Sequence, residues 1–247
     1  MKSNDGSHRA KRAAGERAAA EVSDGDVVGL GTGSTAAAAI RALGDRVEDG
    51  LDVTAVATSH QSRALARSVG VPLDALADTD RIDVAIDGAD QAAVGDDLAA
   101  APADAAPLDG RPPLVKGGGA AHAREKIVAG AADRFLVVVD DSKLAPTLSH
   151  PVPVELLPDA EASVLRRLRD LGGDPEIRAA ERKDGPVVTD NGNLVADCEF
   201  GTVTDPAERA RDLAAIPGVV EHGLFVDLAD ALVIGTADGD ATVRAVR

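Results

Sequence analysis

Three stretches of this 247-residue chain combine residue types that handle phosphate groups and protons. The first is Gly31-Thr32-Gly33-Ser34-Thr35, which lies between a short apolar run and an Ala-rich one. Its backbone N–H groups and three hydroxyls would sit at a helix N-terminus, a place suited to a phosphate; the competing reading is a tight turn with an N-cap. A dinucleotide fold fits badly. Gly29-x-Gly31-x-x-Ser34 lacks the third glycine, Ala57-Thr58-Ser59 ends the second strand without an acid, and no P-loop lysine is present. The second stretch, Asp87-Gly88-Ala89-Asp90, closes a buried apolar run. Two carboxylates at the carboxyl end of a strand could move sugar hydroxyl protons or hold a metal, or form a solvent-facing Asx-turn. The third is Lys116-Gly117-Gly118-Gly119-Ala120-Ala121-His122-Ala123-Arg124-Glu125-Lys126. Here three glycines let backbone approach a ligand, and Glu125 falls within the first turns of a helix. A carboxylate beside an ammonium and helix-terminal N–H groups can abstract a proton from carbon while the oxyanion is held. The plainer alternative is a surface helix whose Glu125 pairs with basic neighbours.

Lysine usage sharpens the choice. The six lysines are Lys2, Lys11, Lys116, Lys126, Lys143 and Lys183, against 20 arginines. Where lysine is this scarce, those that remain are enriched for tasks that need a compact ammonium rather than a planar fork. Lys116 and Lys143 each follow a strand, on the rim where open α/β sheets bind ligands. The five histidines (8, 60, 122, 150, 222) lack metal-ligand spacing and read as surface or satisfied residues. Cys198 is the single cysteine, which excludes an intramolecular disulfide and a cysteine-based zinc site and leaves it a structural residue.

The elements that must position these groups follow from periodicity. Up to residue 145 helices (9–22, 36–43, 61–69 and one reaching about 132) alternate with strands (26–30, 51–57, 82–86, 114–115, 135–139). That grammar predicts an α/β architecture, a doubly wound parallel sheet with helices on both faces. The interval 92–113, rich in Ala, Asp and Pro, interrupts it and reads as an exposed, mobile loop. From Pro151 the order becomes β-α-β-β-α-β (152–156, 160–171, 176–181, 194–200, 206–215, 219–226), the split arrangement of a small α+β ferredoxin-like domain. Strands at 231–234 and 241–246 would rejoin the first unit. The expected division is therefore 1–150 with 226–247, and 151–225.

Composition bounds the function. With 42 acidic against 26 basic residues and a net charge of −16, the chain is a poor binder of nucleic acid or anionic membrane. The 31 Asp, 11 Glu and few Lys fit a solvated, halophile-type surface, with GC-biased codon usage as the bland alternative. The polar, basic start shows no secretory pattern, and no run reaches the ~18 apolar residues of a membrane span, so a cytoplasmic protein is expected.

Taken together, GLGTGST (29–35), ATSHQS (57–62), DGAD (87–90), KGGGAAHAREKIVA (116–129), Asp140–Lys143, PVELLP (153–158), VTDNGN (188–193) and PGVVEHGLF (217–225) resemble ribose-5-phosphate isomerase type A along nearly the whole chain. The resemblance implies a Rossmann-like domain plus the small ferredoxin-like one, and a cofactor-free and metal-free aldose–ketose isomerase. It would interconvert ribose 5-phosphate and ribulose 5-phosphate through an enediolate, in the non-oxidative pentose phosphate pathway, as a homodimer or homotetramer. It implies Glu125 as the base, Asp87 assisting ring opening with Asp90 nearby, and Lys116 stabilising the enediolate. Gly88, Ala89 and Gly117, Gly118 and Gly119 would line the substrate, and Thr32, Gly33, Ser34 and Thr35, with Lys143 and Lys11, would hold it mainly at its phosphate. Two departures stand out: Gln91 where the family has Glu, and a longer 90–116 interval, read as a solvated insertion with gating the site or joining subunits as the alternatives. A sugar-phosphate sensor and another sugar-phosphate isomerase are the rival readings.

Overall fold

Strands that are apolar at successive positions must be covered on both faces, and that requirement organises this molecule. The computed structural model describes residues 4–95, 107–181 and 184–246. The chain runs through α1 (Asn4–Ala19), β1 (Val27–Leu30), α2 (Ser34–Glu48), β2 (Thr54–Ala57), α3 (His60–Ser68), β3 (Leu73–Asp74), β4 (Ile82–Gly88), β5 (Gln91–Ala93), β6 (Leu114–Val115), α4 (His122–Ala131) and β7 (Ala132–Asp140). It continues with β8 (Leu144–Ala145), β9 (Val152–Leu156), α5 (Glu161–Asp170), β10 (Asp174–Ile177), β11 (Leu194–Glu199), α6 (Pro206–Ala214), β12 (Val219–His222), β13 (Leu224–Phe225), β14 (Ala231–Gly235) and β15 (Ala241–Ala245).

Among the described residues a seven-stranded sheet has the order β15-β14-β7-β4-β1-β2-β3, parallel except for the β14–β15 edge pair. Alternate residues feed opposite faces. Val84, Ile86, Leu136 and Val138 join a core with Ala14, Ala18, Ile40 and Leu43 from α1 and α2. Ala85, Phe135, Val137 and Val139 join another with Val128 of α4, Leu232 and Ile234. This is the covered parallel sheet that the alternating grammar predicts.

The second half forms a four-stranded antiparallel sheet, β10-β11-β9-β12, against which α5 and α6 bury Val164, Leu168 and Leu213. Its β-α-β-β-α-β order is the ferredoxin-like arrangement expected from the sequence. The expected strand over 176–181 stops at Ile177, beyond which the Arg178 N–H still bonds the Val195 carbonyl at 2.9 Å and an isolated Ala179–Pro186 bridge follows.

Two sequence expectations need correction. The strand expected over 219–226 is two strands: β12 pairs with β9, whereas β13 pairs with β6 in a different sheet. The chain changes sheets at Gly223, where a Cβ would stand 2.1 Å from the carbonyl oxygen of Lys116. The interval 92–113, read as an exposed loop, is anchored at both ends. Ala92 and Leu108 are buried, β5 pairs with β6 and β8, and Leu108 bridges Val246. Apolar residues spaced too sparsely for periodicity still found core positions; residues 96–106 of that interval lie outside the described ones.

These short strands make a third sheet, β13-β6-β5-β8. Within β6, Leu114 packs into the core shared by the large sheet and α4, and Val115 into the core of the smaller sheet. Lys116 is the next residue, its N–H bonded to the Gly223 carbonyl at 2.8 Å.

Candidate active site

Each sequence stretch singled out above ends a strand on the same side of the large sheet. Asp87 lies at the carboxyl end of β4, Lys116 directly after β6, and Gly31–Gly33 between β1 and α2. Gly31 makes the first closure possible, since a Cβ there would stand 2.0 Å from the Asp87 carboxyl carbon. One Asp87 oxygen therefore accepts from the Thr32 and Gly88 N–H groups at 3.1 and 2.7 Å. The other faces the Lys116 ammonium at 2.9 Å.

Lys116 Nζ also lies 3.1 Å from Glu125 Oε2 and donates to the Gly88 carbonyl. Asp87, Lys116 and Glu125 are each at most 4% exposed. Glu125 is thus no surface residue paired with solvent-facing neighbours. Its helix, α4, starts at His122 with no side-chain cap, and Glu125 sits in the first turn. Burial, reinforced by the negative charge of Asp87, pushes the Glu125 carboxyl up to about 8 against the opposing pull of Lys116. Burial likewise raises Asp87. For Lys116 burial works against the charge, but Asp87 and Glu125 override it and hold the ammonium above its ordinary range. Beneath it lies the Phe225 ring, whose centroid is 5.2 Å from Lys116 Nζ and 5.0 Å from Lys126 Nζ.

Above this floor opens a crevice with a cavity volume of about 130 Å³. The structure brings Lys11, Thr32, Gly33, Ser34, Thr35, Gly88, Ala89, Asp90, Lys116, Gly117, Gly118, Gly119, Glu125 and Lys143 to its walls. Of the residues expected from the sequence, Asp87 stands apart: it lies behind Lys116 rather than on the wall. Asp90 does face the space, and its carboxylate accepts from the Gly118 N–H at 2.8 Å. At the far end α2 begins after Gly33 with no side-chain cap and no acid in its first turn. Its leading N–H groups are left for an anion, with Lys11 and Lys143 beside them. Every lysine among the described residues either lines this crevice or, like Lys126, lies next to the ring that floors it.

Comparison with known proteins decides the family. The family model described as ribose 5-phosphate isomerase A (phosphoriboisomerase A) matches residues 54–239. The chain belongs to the ribose 5-phosphate isomerase A family. A ribose-5-phosphate isomerase A from Natronomonas pharaonis is 59% identical, over 97% of this chain and 98% of that protein. Another from Haloarcula marismortui is 60% identical, over 97% and 96%. The solved ribose 5-phosphate isomerase A of Methanocaldococcus jannaschii superposes with a TM-score of 0.84 at 40% identity, covering 95% of this chain and 97% of that one. A D-ribose-5-phosphate isomerase solved in complex with phospho-erythronic acid matches with the same TM-score at 38% identity, again over 95% and 97%. This chain is accordingly an isomerase, and its acidic, halophile-type composition fits the company of halophilic relatives. No helix among the described residues is long and apolar enough to cross a membrane.

Sequence reasoning missed several groups around this isomerase site. Phe225 was read only as part of a motif, and Arg178, whose Nη1 donates to the Gly117 and Gly118 carbonyls at 2.9 and 3.1 Å, only as part of a strand. Thr58 and Ser59 bond the Thr32 hydroxyl at 3.0 and 2.7 Å, a link that the ATSHQS motif could have suggested. Of the surface and satisfied readings left open for the histidines, His122 and His222 take the buried one, His122 bonded to the Glu221 carbonyl and His222 to Lys126, and burial pushes both down to about 4, so they are neutral at pH 7. Gln91, expected from the sequence to depart from the family pattern, is not among the crevice-lining residues. Its side-chain oxygen accepts from the Ser149 and His150 N–H groups at 2.7 and 2.9 Å, which a Glu carboxylate could do equally.

Proposed function

We propose that this isomerase moves a proton between C2 and C1 of ribose 5-phosphate through an enediolate, with Glu125 as the base. The observation that carries the assignment is the buried Asp87–Lys116–Glu125 cluster flooring a crevice whose other end presents an uncapped helix N-terminus. The phosphate is held by Thr32 to Thr35, Lys11 and Lys143, which extends the open-chain sugar toward Glu125. Glu125 takes the C2 proton as the C1 carbonyl oxygen gains negative charge. Lys116 and the Gly119 N–H stabilise that oxygen, while the Gly118 N–H is held by Asp90. The same carboxyl returns the proton to C1, and the O2 hydroxyl proton passes to O1, so the atoms balance with no outside reagent. Asp90, on the crevice wall, suits the hydroxyl transfers and ring opening, and Asp87 acts on them through Lys116. A carboxyl poised near 8 is a stronger proton acceptor than an ordinary Glu, which suits a base that must bind a proton from carbon.

The reading further places the enzyme in the cytoplasm as a homodimer or homotetramer, in the non-oxidative pentose phosphate pathway. The decisive experiment is turnover of ribose 5-phosphate, followed by ketose formation and by exchange of the C2 proton with solvent. Glu125→Gln should lose both signals nearly completely, and Lys116→Ala should lose about 10²–10³-fold in kcat. Full turnover by Glu125→Gln would overturn the mechanism.

A further inference from the structure

Three consecutive glycines line the crevice at 117–119, and none carries a Cβ that could dictate which way its peptide faces. Orientation matters here more than elsewhere. In a trans peptide the carbonyl oxygen and the following N–H point to opposite sides of the chain. One orientation offers an anionic intermediate N–H donors, whereas the flipped one offers it carbonyl oxygens. Within the loop the Ala120 N–H already bonds the Gly117 carbonyl at 3.0 Å; the Gly118 carbonyl has to be set from outside.

Arg178, just past the end of β10, is placed to do so. Its guanidinium grips Asp197 of β11 in a two-pronged pair, with Nε 2.7 Å from Oδ2 and Nη2 2.5 Å from Oδ1. That fork fixes the plane of the guanidinium and neutralises its charge. The remaining nitrogen, Nη1, donates to the carbonyl oxygens of Gly117 and Gly118 at 2.9 and 3.1 Å. With both carbonyls drawn toward the smaller sheet, the N–H groups of Gly118 and Gly119 are turned the other way. Gly118 N–H meets Asp90 on the crevice wall at 2.8 Å. The Arg178 side chain is 16% exposed, with its bond to the Gly117 carbonyl partly buried and that to the Gly118 carbonyl at the surface.

We propose that Arg178, held by Asp197, is a positioning residue that locks the Gly117–Gly119 peptides so that the Gly118 N–H stays on Asp90 and the Gly119 N–H faces the reacting oxygens. Arg178 touches no reacting atom; it acts through the loop. The inference rests on the isomerase mechanism above, in which the Gly119 N–H helps to hold the enediolate. Lysine could not substitute, because a single ammonium cannot span a carboxylate and two carbonyls in one plane.

The test uses the full chain with Arg178→Ala, Arg178→Lys and Asp197→Asn. Each is assayed for kcat, KM, thermal unfolding and inhibition by phospho-erythronic acid, whose planar carboxylate imitates the enediolate oxygens. A loop displaced by about 1 Å costs on the order of 10²-fold, so Arg178→Ala should lose that much in kcat. KM should stay within about threefold, because phosphate binding at the other end is untouched. Phospho-erythronic acid affinity should fall with kcat. Millimolar guanidinium should restore Arg178→Ala several-fold and leave the wild type unchanged, and Arg178→Lys should remain low. The proposal is overturned by unchanged kcat in Arg178→Ala or by equal loss in KM and kcat without guanidinium rescue. If Arg178→Ala does not fold, Asp197→Asn, which preserves shape, decides by the same kcat and inhibitor readouts. Wild-type turnover measured alongside Glu125→Gln separates failure of this inference from failure of the mechanism itself.

Discussion

At the scale of single residues, the site is a compromise between burial and charge. Asp87, Lys116 and Glu125 are all shut away from water, and the ammonium offsets the cost of that burial by touching both acids. Glu125 bears the cost, with its carboxyl pushed to about 8 from an ordinary 4.5. Two opposite pH trends follow. Activity of the free enzyme on ribose 5-phosphate should rise with pH through about 8, as the base loses its proton. Stability should move the other way. The folded state holds the Glu125 proton more tightly than the unfolded chain, so this contribution is complete below about 4.5 and is lost as pH rises through 8. Glu125→Gln removes that dependence. Its melting temperature should exceed that of the wild type above pH 8, with the gap closing toward pH 4.5; a gap independent of pH would contradict the assignment. The chemistry at this scale was readable because each group is announced by its own short segment, an Asp closing an apolar run or a lysine before three glycines. Arg178 and Phe225 were not readable. They reach the site from 61 residues beyond Gly117 and from a strand after a change of sheet, contacts that only packing creates.

At the scale of elements, the alternation of strand and helix was legible wherever the pattern ran long. It failed where pairing partners are two or three residues each, as in β5, β6, β8 and β13. Such strands are specified by the sheet that receives them rather than by propensity. We propose that the chain divides into a larger unit of residues 1–150 with 226–247 and a smaller one of 151–225. The antiparallel sheet β10-β11-β9-β12 and its helices support that division, while Val115 and Leu148 of the larger unit enter the smaller unit's core and β13 crosses back to pair with β6. The smaller unit offers a clean test of local helix chemistry. Asp205 caps α6, accepting from the Glu208 N–H at 2.8 Å, with Pro206 at the first helical position. Asp205→Ala should cost about 1 kcal/mol, read as a lower denaturation midpoint. Turnover of ribose 5-phosphate at 25 °C should not change, because α6 supplies nothing to the crevice; a drop in kcat would show coupling between α6 and the site.

At the scale of the whole molecule, a net charge of −16 surrounds a site built for an anion. The fold resolves the conflict by gathering Lys11, Lys116 and Lys143 with a helix N-terminus in one crevice, where Asp90 and Glu125 are the acids on the wall. Self-repulsion of the remaining surface is the general penalty, and salt relieves it because screening shortens from about 10 Å at 0.1 M to about 3 Å at 1 M. The melting temperature should therefore climb by several degrees when KCl is raised over that range; a flat response would reassign the acidic composition to codon bias.

The position of β6 carries one last consequence. Leu114 and Val115 are successive residues anchored in two different hydrophobic cores, and the residue after them is the ammonium at the centre of the site. Neither core can open by itself without pulling on Lys116. Partial openings that leave one half of the molecule intact would disarm the enzyme as surely as complete unfolding. Its activity is then a reporter of cooperativity: no intermediate that has lost either core retains its catalytic floor.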